Sequence, residues 1–303
     1  MIKPILSLCI PTNGVSEWIF PVLDSIYSQG CNNNEFEVVI TDNGKNEEFK
    51  RNIKLYVQKY SNLQYFETTS LPFLNEIESY KRANGILIKF VNHRTKLLPG
   101  ALGLLIEYAR KNVSDKPIIY FTNGGLKLEK KEKKCSTFDE FVLNLSYWSS
   151  WSTGMTIWKD DFKKLPNDMS SFNELFPHTD VLFFEKNRGC YLINDTVIFD
   201  EIPQGMKPKG TYDLFYAFGV EYPSIILELY RNNDIILKTY KKVVDENLTF
   251  IAELYFKYFI KKDYCSYDLN GLNNMYCVFY KKHELQSALV KVIWCKIKNR
   301  IKK

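Results

Sequence analysis

Residues 5–14 read Ile-Leu-Ser-Leu-Cys-Ile-Pro-Thr-Asn-Gly, and this stretch decides the fold of the first part of the chain. The apolar run Ile5–Ile10 is typical of a short buried strand, and the Pro-Thr-Asn-Gly sequence after it predicts that the strand ends in a turn. Ser16 is then predicted to cap a helix with apolar residues along one side. A strand that passes through a tight turn into a helix indicates an α/β architecture.

The same alternation continues through the first 125 residues. Apolar runs that predict further strands are Phe36–Thr41, Leu63–Phe66, Ile86–Val91 and Ile118–Phe121. Helical patterns fill the gaps between them, around Ile53, over residues 74–84 and from Pro99 onward. The pattern predicts a mostly parallel sheet with helices on both faces. Ligands of such sheets lie beyond the carboxyl ends of the strands, so polar residues after the first, second and fourth strands are candidate site residues.

The sequence predicts two regions. Residues 1–205 form the α/β domain, and the segment Pro203–Gly210, rich in Pro and Gly, marks the boundary to a mainly helical region over residues 206–303. Within the first region, the charged run 127–134 is predicted to be an exposed loop.

The net charge of +6 is concentrated at the end of the chain. Residues 281–303 hold eight Lys and Arg against one acid, Glu284, so the rest of the chain is close to neutral. Leu285, Leu289, Ile293, Ile297 and Ile301 recur at four-residue steps and are joined by Val292 and Trp294, which predicts a basic amphipathic helix. We expect its partner to be an anionic membrane surface. The alternatives are a helix packed on the rest of the chain and a nucleic-acid patch, but no nucleic-acid-binding motif is present.

Seven cysteines are scattered without CxxC pairs or zinc-ligand spacing, which suits a reducing compartment. The first apolar run is too short for the core of a signal peptide, and no stretch reaches the length needed to span a bilayer. We therefore expect a cytoplasmic protein that lies peripherally on the inner face of the cell membrane.

Four segments, in order and at characteristic spacing, carry a resemblance to a known family. They are Leu8–Asn13, Val38–Gly44, Ile88–Arg94 and Leu98–Leu102. They resemble the family 2 glycosyltransferases of GT-A fold, whose members read IPTYN, then VVDDGS or VSDNGS, then DxD followed by LPGAL. Asn75, ten residues before Gly85, is similar to the Asn-to-Gly step of the O-antigen and capsule branch. The resemblance covers roughly residues 4–200.

The resemblance implies that the residues after the strands bind a nucleotide-sugar donor. The implied donor-binding residues are Pro11, Thr12, Asn13, Asp42, Asn75, Asn92, His93 and Arg94. Asp42 stands where the family binds the nucleotide base, and a carboxylate can accept the imide N–H of uracil. The alternative is that Asp42-Asn43-Gly44 is only a tight turn, since these residue types favour turns.

The sequence departs from the family at the DxD position, where it has Asn92-His93-Arg94. Mg²⁺ and Mn²⁺ prefer charged oxygen ligands, and Arg offers none. An Arg can instead stabilise the departing diphosphate directly, through hydrogen bonds to phosphate oxygens. We therefore expect no metal cofactor, with Arg94 helped by His93 in place of the ion, unless the altered site still binds Mg²⁺ or Mn²⁺. The alternative is a set of solvated loop residues on a scaffold without activity.

The resemblance places the catalytic base near the end of the first region. Asp180 aligns with the carboxylate that deprotonates the acceptor hydroxyl, with Thr179 where Glu is usual. His178 is the competing catalytic residue, because imidazole accepts a proton near neutral pH. The alternative for Asp180 is an N-cap of the apolar run Val181–Phe184.

Trp148, Trp151 and Trp158 precede this segment and could stack on acceptor sugars, although packing in the core is the alternative. The resemblance thus implies an inverting transferase that moves a sugar from a UDP-linked donor to a glycan or lipid-linked acceptor in bacterial surface polysaccharide synthesis. The rival is an inactive transferase-like binding or scaffold protein at the membrane. A dinucleotide oxidoreductase is disfavoured because no GxGxxG follows the first strand.

Overall fold

The computed structural model describes residues 3–203, 205, 208 and 210–301, with the side chains of residues 277 and 299–301 left out. The strands are β1 Leu6–Thr12, β2 Phe36–Asp42, β3 Leu63–Glu67, β4 Leu87–Phe90, β5 Thr95–Leu97, β6 Ile118–Phe121, β7 Glu132–Cys135, β8 Thr156–Trp158, β9 Tyr191–Asn194 and β10 Phe199–Glu201. The α-helices are α1 Ser16–Tyr27, α2 Glu47–Lys59, α3 Asn75–Arg82, α4 Ala101–Asn112, α5 Phe138–Leu145, α6 Lys159–Phe162, α7 Pro177–Leu182, α8 Leu214–Tyr216, α9 Tyr222–Arg231, α10 Leu237–Tyr255, α11 Leu272–Val278 and α12 Lys282–Ile301.

The main sheet has the strand order β3-β2-β1-β4-β8, and all neighbours are parallel except β8. Along β1, Leu6, Leu8 and Ile10 face a core built with α1, α2 and α4. Cys9 points to the other face, where its Sγ contacts the carbonyl of Ser79 in α3. Successive strand residues alternate between faces, so one face cannot hold all the apolar residues of β1. The prediction of a mostly parallel α/β sheet covered on both faces is therefore confirmed.

The strand Ile118–Phe121 forms as predicted, but it lies outside the main sheet. As β6 it pairs with β9 in a second sheet of order β6-β9-β7, in which β6 and β9 are parallel. The fifth strand of the main sheet is instead β8, which is antiparallel to β4. Tyr120 of β6 and Met155, the residue before β8, form an isolated bridge between the two sheets. An apolar run predicts that a strand forms, whereas its partner is chosen by contacts across the chain.

Two local predictions are wrong. The charged run 127–134 is not entirely a loop, because β7 begins at Glu132 and pairs antiparallel with β9. β7 is an edge strand of its sheet, and exposed edge strands tolerate lysines that a central strand would not. Ser16 is the first residue of α1 rather than its cap; Val15 holds the cap position, without a side-chain hydrogen bond.

The chain divides into two compact units. The first comprises the chain up to Phe141 and the segment Trp148–Ile202, and the second comprises Val142–Tyr147 and the chain from Pro203 on. The second unit is helical and has its own apolar core, which includes Phe215, Ile251 and Met275. Within the described residues, no helix combines the length and the apolar character needed to cross a membrane.

The basic segment at the end forms the long helix α12, as predicted, but the predicted apolar stripe does not stay on one side. Leu285 is buried, whereas Ile297 is 47% exposed. A four-residue step advances about 40° beyond a full turn of an α-helix, so residues at repeated four-residue steps wind around the helix. The packed side is instead formed by Leu285, Ala288 and Val292.

Candidate functional site

The carboxyl ends of β1, β2 and β4 meet at one edge of the main sheet. Thr12, the last residue of β1, pairs with Asp42, the last residue of β2. The Thr12 hydroxyl lies 2.9 Å from Nδ1 of His93, which follows β4. The backbone N–H of Asn43 donates to the Thr12 carbonyl at 3.1 Å. The polar residues after the first, second and fourth strands are thus brought together, as expected for parallel strands that end at the same edge.

Asp42 is almost completely buried at this edge. Its Oδ1 accepts the backbone N–H of Gly44 at 2.8 Å, and its Oδ2 accepts the hydroxyl of Tyr65 at 2.9 Å. Burial raises the pKa of Asp42, while the hydrogen bonds from Gly44 and Tyr65 oppose the rise. Oδ1 therefore stabilises the tight turn that the sequence offered as the alternative role of Asp42. Oδ2 binds the hydroxyl of Tyr65, a residue that the sequence analysis did not identify. Tyr65 lies on β3, and nothing in the sequence of that strand, LQYFE, indicates this contact.

Asn75 joins the ends of β1 and β2. Its Nδ2 donates to the carbonyls of Thr41 at 2.9 Å and Thr12 at 3.3 Å. Its Oδ1 accepts the hydroxyl of Thr68 at 2.8 Å. With both ends of its amide engaged in a buried position, Asn75 fixes the relative placement of Thr12 and Asp42 from the first residue of α3.

The segment Asn92–Arg94, which follows β4, is also ordered by contacts. Asn92 Oδ1 accepts the backbone N–H of Arg94 at 3.0 Å. The Arg94 guanidinium donates to Oε2 of Glu201 and to the carbonyl of Ile202, both at 3.1 Å. It also lies 5.7 Å from the ring of Trp18. Arg94 is thus held by a carboxylate 107 residues away in sequence, and no local pattern could have identified Glu201 as its partner.

His93 and Arg94 both lie against the ring of Trp18. The two rings of His93 and Trp18 are 5.2 Å apart in an edge-to-face arrangement. Burial lowers the pKa of His93, and the neighbouring guanidinium of Arg94 lowers it further. The imidazole is therefore neutral at physiological pH, and it can offer one N–H to an anion.

The donor atoms at this place do not fit a divalent cation. Among the described residues, no group of three or more His, Cys, Asp or Glu side chains is arranged to hold a metal ion. The oxygen of Asn92 is used by a backbone N–H, and Arg94 adds a positive charge. Mg²⁺ and Mn²⁺ require several oxygen ligands, with carboxylates foremost, so this segment is a poor site for either ion.

Asp180 lies on α7, the helix that begins at Pro177. It is in the first turn of α7, whose cap is Phe176, so the alternative that Asp180 caps the apolar run after it is wrong. Its Oδ2 accepts the backbone N–H of Asn173 at 2.6 Å. Burial raises the pKa of Asp180 to about 6, and the bond from Asn173 opposes the rise. A partly exposed carboxylate with a raised pKa is ionised at neutral pH and is a stronger base than an ordinary aspartate.

His178, on the same helix, is buried, and its imidazole forms a hydrogen bond inside the protein. Its Nε2 lies 2.9 Å from the carbonyl of Ser150, so this nitrogen carries the hydrogen and donates it. Its Nδ1 lies 3.8 Å from Oε1 of Glu76, and burial lowers the pKa of His178 to about 4. A buried imidazole with this pKa is poorly placed to accept a proton from a substrate near neutral pH.

Glu76 is a site residue that sequence reasoning missed. It follows Asn75 on α3, is 2% exposed, and its burial raises the pKa well above the ordinary glutamate value. Within the described residues, neither Glu76 Oε1 nor His178 Nδ1 has a hydrogen-bond partner. The pair lies where α3 contacts α7, and it therefore connects the helix of Asn75 with the helix of Asp180.

The three tryptophans divide between the core and the surface. Trp158 belongs to β8, is 1% exposed, and donates its Nε1–H to the carbonyl of Pro117 at 2.7 Å. It is a core residue and cannot contact an acceptor. Trp148 and Trp151 are partly exposed, with ring centres 5.8 Å apart, and the hydroxyl of Tyr120 donates to the carbonyls of both.

No family model matches the chain, and no curated protein matches it in sequence. Solved structures do match. S. aureus TarS 1-349 in complex with UDP-GlcNAc is 15% identical, with a TM-score of 0.58 over 89% of this chain and 79% of that chain. The mannosyltransferase PcManGT from Pyrobaculum calidifontis, in complex with GDP-Man and Mn²⁺, is 12% identical, with a TM-score of 0.50 over 97% of this chain and 88% of that chain.

A longer structure of S. aureus TarS also matches, with a TM-score of 0.52 and 16% identity. The match covers 84% of the present chain but only 44% of that longer TarS chain. At these identities the likeness concerns the fold. The chain therefore has the GT-A-like α/β fold that glycosyltransferases use.

Proposed function

We propose that this protein is a family 2 glycosyltransferase of the O-antigen and capsule branch. It transfers a sugar from a UDP-linked donor to a hydroxyl of a glycan or lipid-linked acceptor, with inversion, in bacterial surface polysaccharide synthesis. The observation that carries the proposal is the meeting of Thr12, Asp42 and His93 at one sheet edge. The fold is shared with proteins solved with UDP-GlcNAc and with GDP-Man, which supports a nucleotide-sugar donor.

In this proposal the strand ends bind the nucleotide. Asp42 accepts the imide N–H of uracil, and Tyr65 holds the carboxylate in place from the opposite side. The backbone N–H of Asn13 donates to a base carbonyl, whereas Pro11, which has no N–H, contributes only to the shape of the backbone there. Asn75 shapes this pocket by fixing the ends of β1 and β2.

Arg94 then stabilises the diphosphate without a metal ion. Its guanidinium pairs with Glu201, whose side chain is about half exposed and can turn away when a phosphate takes its place. A guanidinium forms bidentate hydrogen bonds with phosphate oxygens and keeps its charge as the diphosphate departs. His93 contributes a neutral N–H beside it. The ring of Trp18 lies beside the guanidinium and helps to hold the positive charge in place while Glu201 gives way to the phosphate.

Asp180 is the proposed general base. A carboxylate with a pKa of about 6 accepts the proton of the acceptor hydroxyl as that oxygen attacks the sugar carbon. A single displacement of this kind inverts the configuration at the sugar. His178, which the sequence offered as an alternative base, has a positioning role in this proposal, because Ser150 and Glu76 hold it inside the protein.

The acceptor and the location complete the proposal. A lipid-linked acceptor would be reached at the inner face of the cell membrane by a cytoplasmic enzyme. The basic segment 281–303 is proposed to hold the protein on anionic lipid there.

One observation favours a second candidate, an inactive binding or scaffold protein. The proposed mechanism needs the charge of Arg94 for the diphosphate, but the guanidinium is already paired with the carboxylate of Glu201. If that pair does not open, the fold binds no diphosphate and has no transferase activity.

Calorimetry and a transfer assay distinguish the two candidates. Wild type, Asp180→Asn and the control Asp115→Asn, an exposed residue after α4, are titrated with a panel of UDP- and GDP-sugars, with EDTA and then with Mn²⁺. We expect binding by all three proteins, and turnover lost by about 10²–10⁴-fold only in Asp180→Asn. An absence of heat with every sugar nucleotide contradicts the transferase, and strict dependence on Mn²⁺ contradicts the role of Arg94.

A further inference from the structure

The second half of α12 presents an apolar stripe to solvent. Val290 and Trp294 are each 67% exposed and Ile297 is 47% exposed. Spacings of four and three residues return to the same side of an α-helix, so these side chains form one stripe. The stripe lies on the side of α12 opposite to Leu285 and Val292, which pack in the core of the second unit. A tryptophan with two thirds of its surface in water loses the stabilisation that burial of its ring would give.

The end of α10 adjoins this part of α12. The chain continues from α10 as a wide π turn over Phe256–Ile260. Lys296 of α12 lies 5.3 Å from the ring centre of Phe256, and Lys261 lies 5.9 Å from the same centre. Phe259 and Ile260, in the same turn, are 38% and 47% exposed. Apolar side chains from two different elements are therefore exposed at one end of the second unit.

Positive charge surrounds these apolar side chains. The exposed lysines here are Lys257, Lys261, Lys262, Lys291, Lys296 and Lys298. Residues 256–264 contain a single acid, Asp263, and residues 285–301 contain none. We call the exposed side chains of 257–262 and 290–298 the basic–aromatic surface.

We infer that the basic–aromatic surface binds an anionic lipid bilayer. Trp294, Val290 and Ile297 enter the headgroup region, and the lysines of both elements pair with lipid phosphates. Aromatic and aliphatic side chains ringed by Lys are the composition of helices that lie in a membrane interface. A second copy of the chain is disfavoured as the occupant, because two such surfaces would bring like charges together.

This inference rests on the membrane part of the proposed function and is independent of sugar transfer. It shares Trp294 and Ile297 with the stripe predicted from the sequence, but Leu285 and Val292 of that stripe are buried in the core of the second unit. It also adds the segment 257–262, which lies well before the basic tail.

The test uses the full chain and co-sedimentation with vesicles of phosphatidylcholine, either pure or with about a quarter phosphatidylglycerol. One variant carries Val290→Ser, Trp294→Ser and Ile297→Ser. Its control carries Leu55→Ser, Leu71→Ser and Val197→Ser, three apolar residues of the first unit that are each half exposed or more.

A second variant removes charge from the π turn, with Lys257→Gln, Lys261→Gln and Lys262→Gln. Its control makes the same charge change elsewhere, with Lys45→Gln, Lys54→Gln and Lys111→Gln. Thermal melts and gel filtration accompany every protein, so that loss of folding or a change of oligomeric state is recognised.

We expect wild type and both controls to bind the anionic vesicles alike, and each surface variant to bind about tenfold or more weakly with an unchanged melting temperature. Binding of wild type should weaken as salt is raised. Brominated lipid should quench the fluorescence of wild type more than that of Trp294→Phe. Equal binding by wild type and either surface variant overturns the inference. So does a wild-type dimer that the serine variant dissociates, in the absence of vesicle binding, which would make the surface an interface between copies.

Discussion

Asp180→Asn should stabilise the folded protein at neutral pH while it removes the proposed catalytic base. Burial raises the pKa of this carboxyl from 3.8 to about 6, so the folded state holds the proton more tightly than the unfolded chain does. The stabilising contribution of the protonated carboxyl is complete below pH 3.8 and is lost as the pH rises through about 6. Asparagine resembles the protonated form, and its side-chain oxygen can still accept the N–H of Asn173.

The size of the effect follows from the shift. A difference of roughly two pKa units, at about 1.4 kcal/mol per unit, gives about 3 kcal/mol between the two proteins above pH 6. Urea unfolding of wild type and Asp180→Asn at several pH values measures it. The gain in free energy of unfolding should be close to zero near pH 4, grow with pH and level off above pH 6.

Taking the difference between the proteins removes the titration of all other groups. Asp115→Asn, at an exposed position, should follow wild type at every pH. A gain that does not change between pH 4 and pH 7 would contradict a pKa of about 6, because it would show that the Asp180 carboxyl does not titrate in this range. A loss of stability at pH 7 would refute it as well.

Five further variants test contacts of the candidate site. Glu76→Gln should change the free energy of unfolding at pH 7 by less than about 1 kcal/mol in urea titrations, because burial favours the neutral form of the glutamate, which glutamine resembles. Glu76→Ala should lower the free energy of unfolding by about 2–4 kcal/mol, because it leaves a cavity. Arg94→Met should weaken binding of a UDP-sugar by about 10–100-fold in calorimetry, whereas Glu201→Gln should tighten it, and equal affinity in both variants would exclude phosphate contact. Tyr65→Phe removes a hydrogen bond to the Asp42 carboxylate, so it should raise the pKa of Asp42 further and weaken UDP binding by about tenfold. Unchanged affinity for UDP would show that the uracil binds elsewhere.

The first unit could be predicted well because its signals are local. Apolar runs of strand length followed by Asn, Asp and Gly indicated β1, β2 and β4 and the turns after them. Parallel strands end at one edge, so the meeting of Thr12, Asp42 and His93 followed from strand order alone. The basic helix at the end was visible in the same way, as a charge pattern along consecutive residues.

The contacts that complete the site could not be predicted from these patterns. Tyr65, Glu76 and Glu201 reach their partners from other elements, and nothing in their neighbouring sequence distinguishes them from ordinary strand or helix residues. Their roles depend on burial, which changes the pKa of a carboxyl only after the chain has packed around it.

Hydrophobic periodicity and turn chemistry act over a few neighbouring residues, so they were enough to predict most strands and helices and the polar residues that end the parallel strands. They could not predict that β8 rather than β6 completes the main sheet, that Glu201 pairs with Arg94, or which side of α12 faces water. Strand partners, ion pairs and buried helix faces are selected by the packing of distant segments against each other, and that selection exists only in the folded chain.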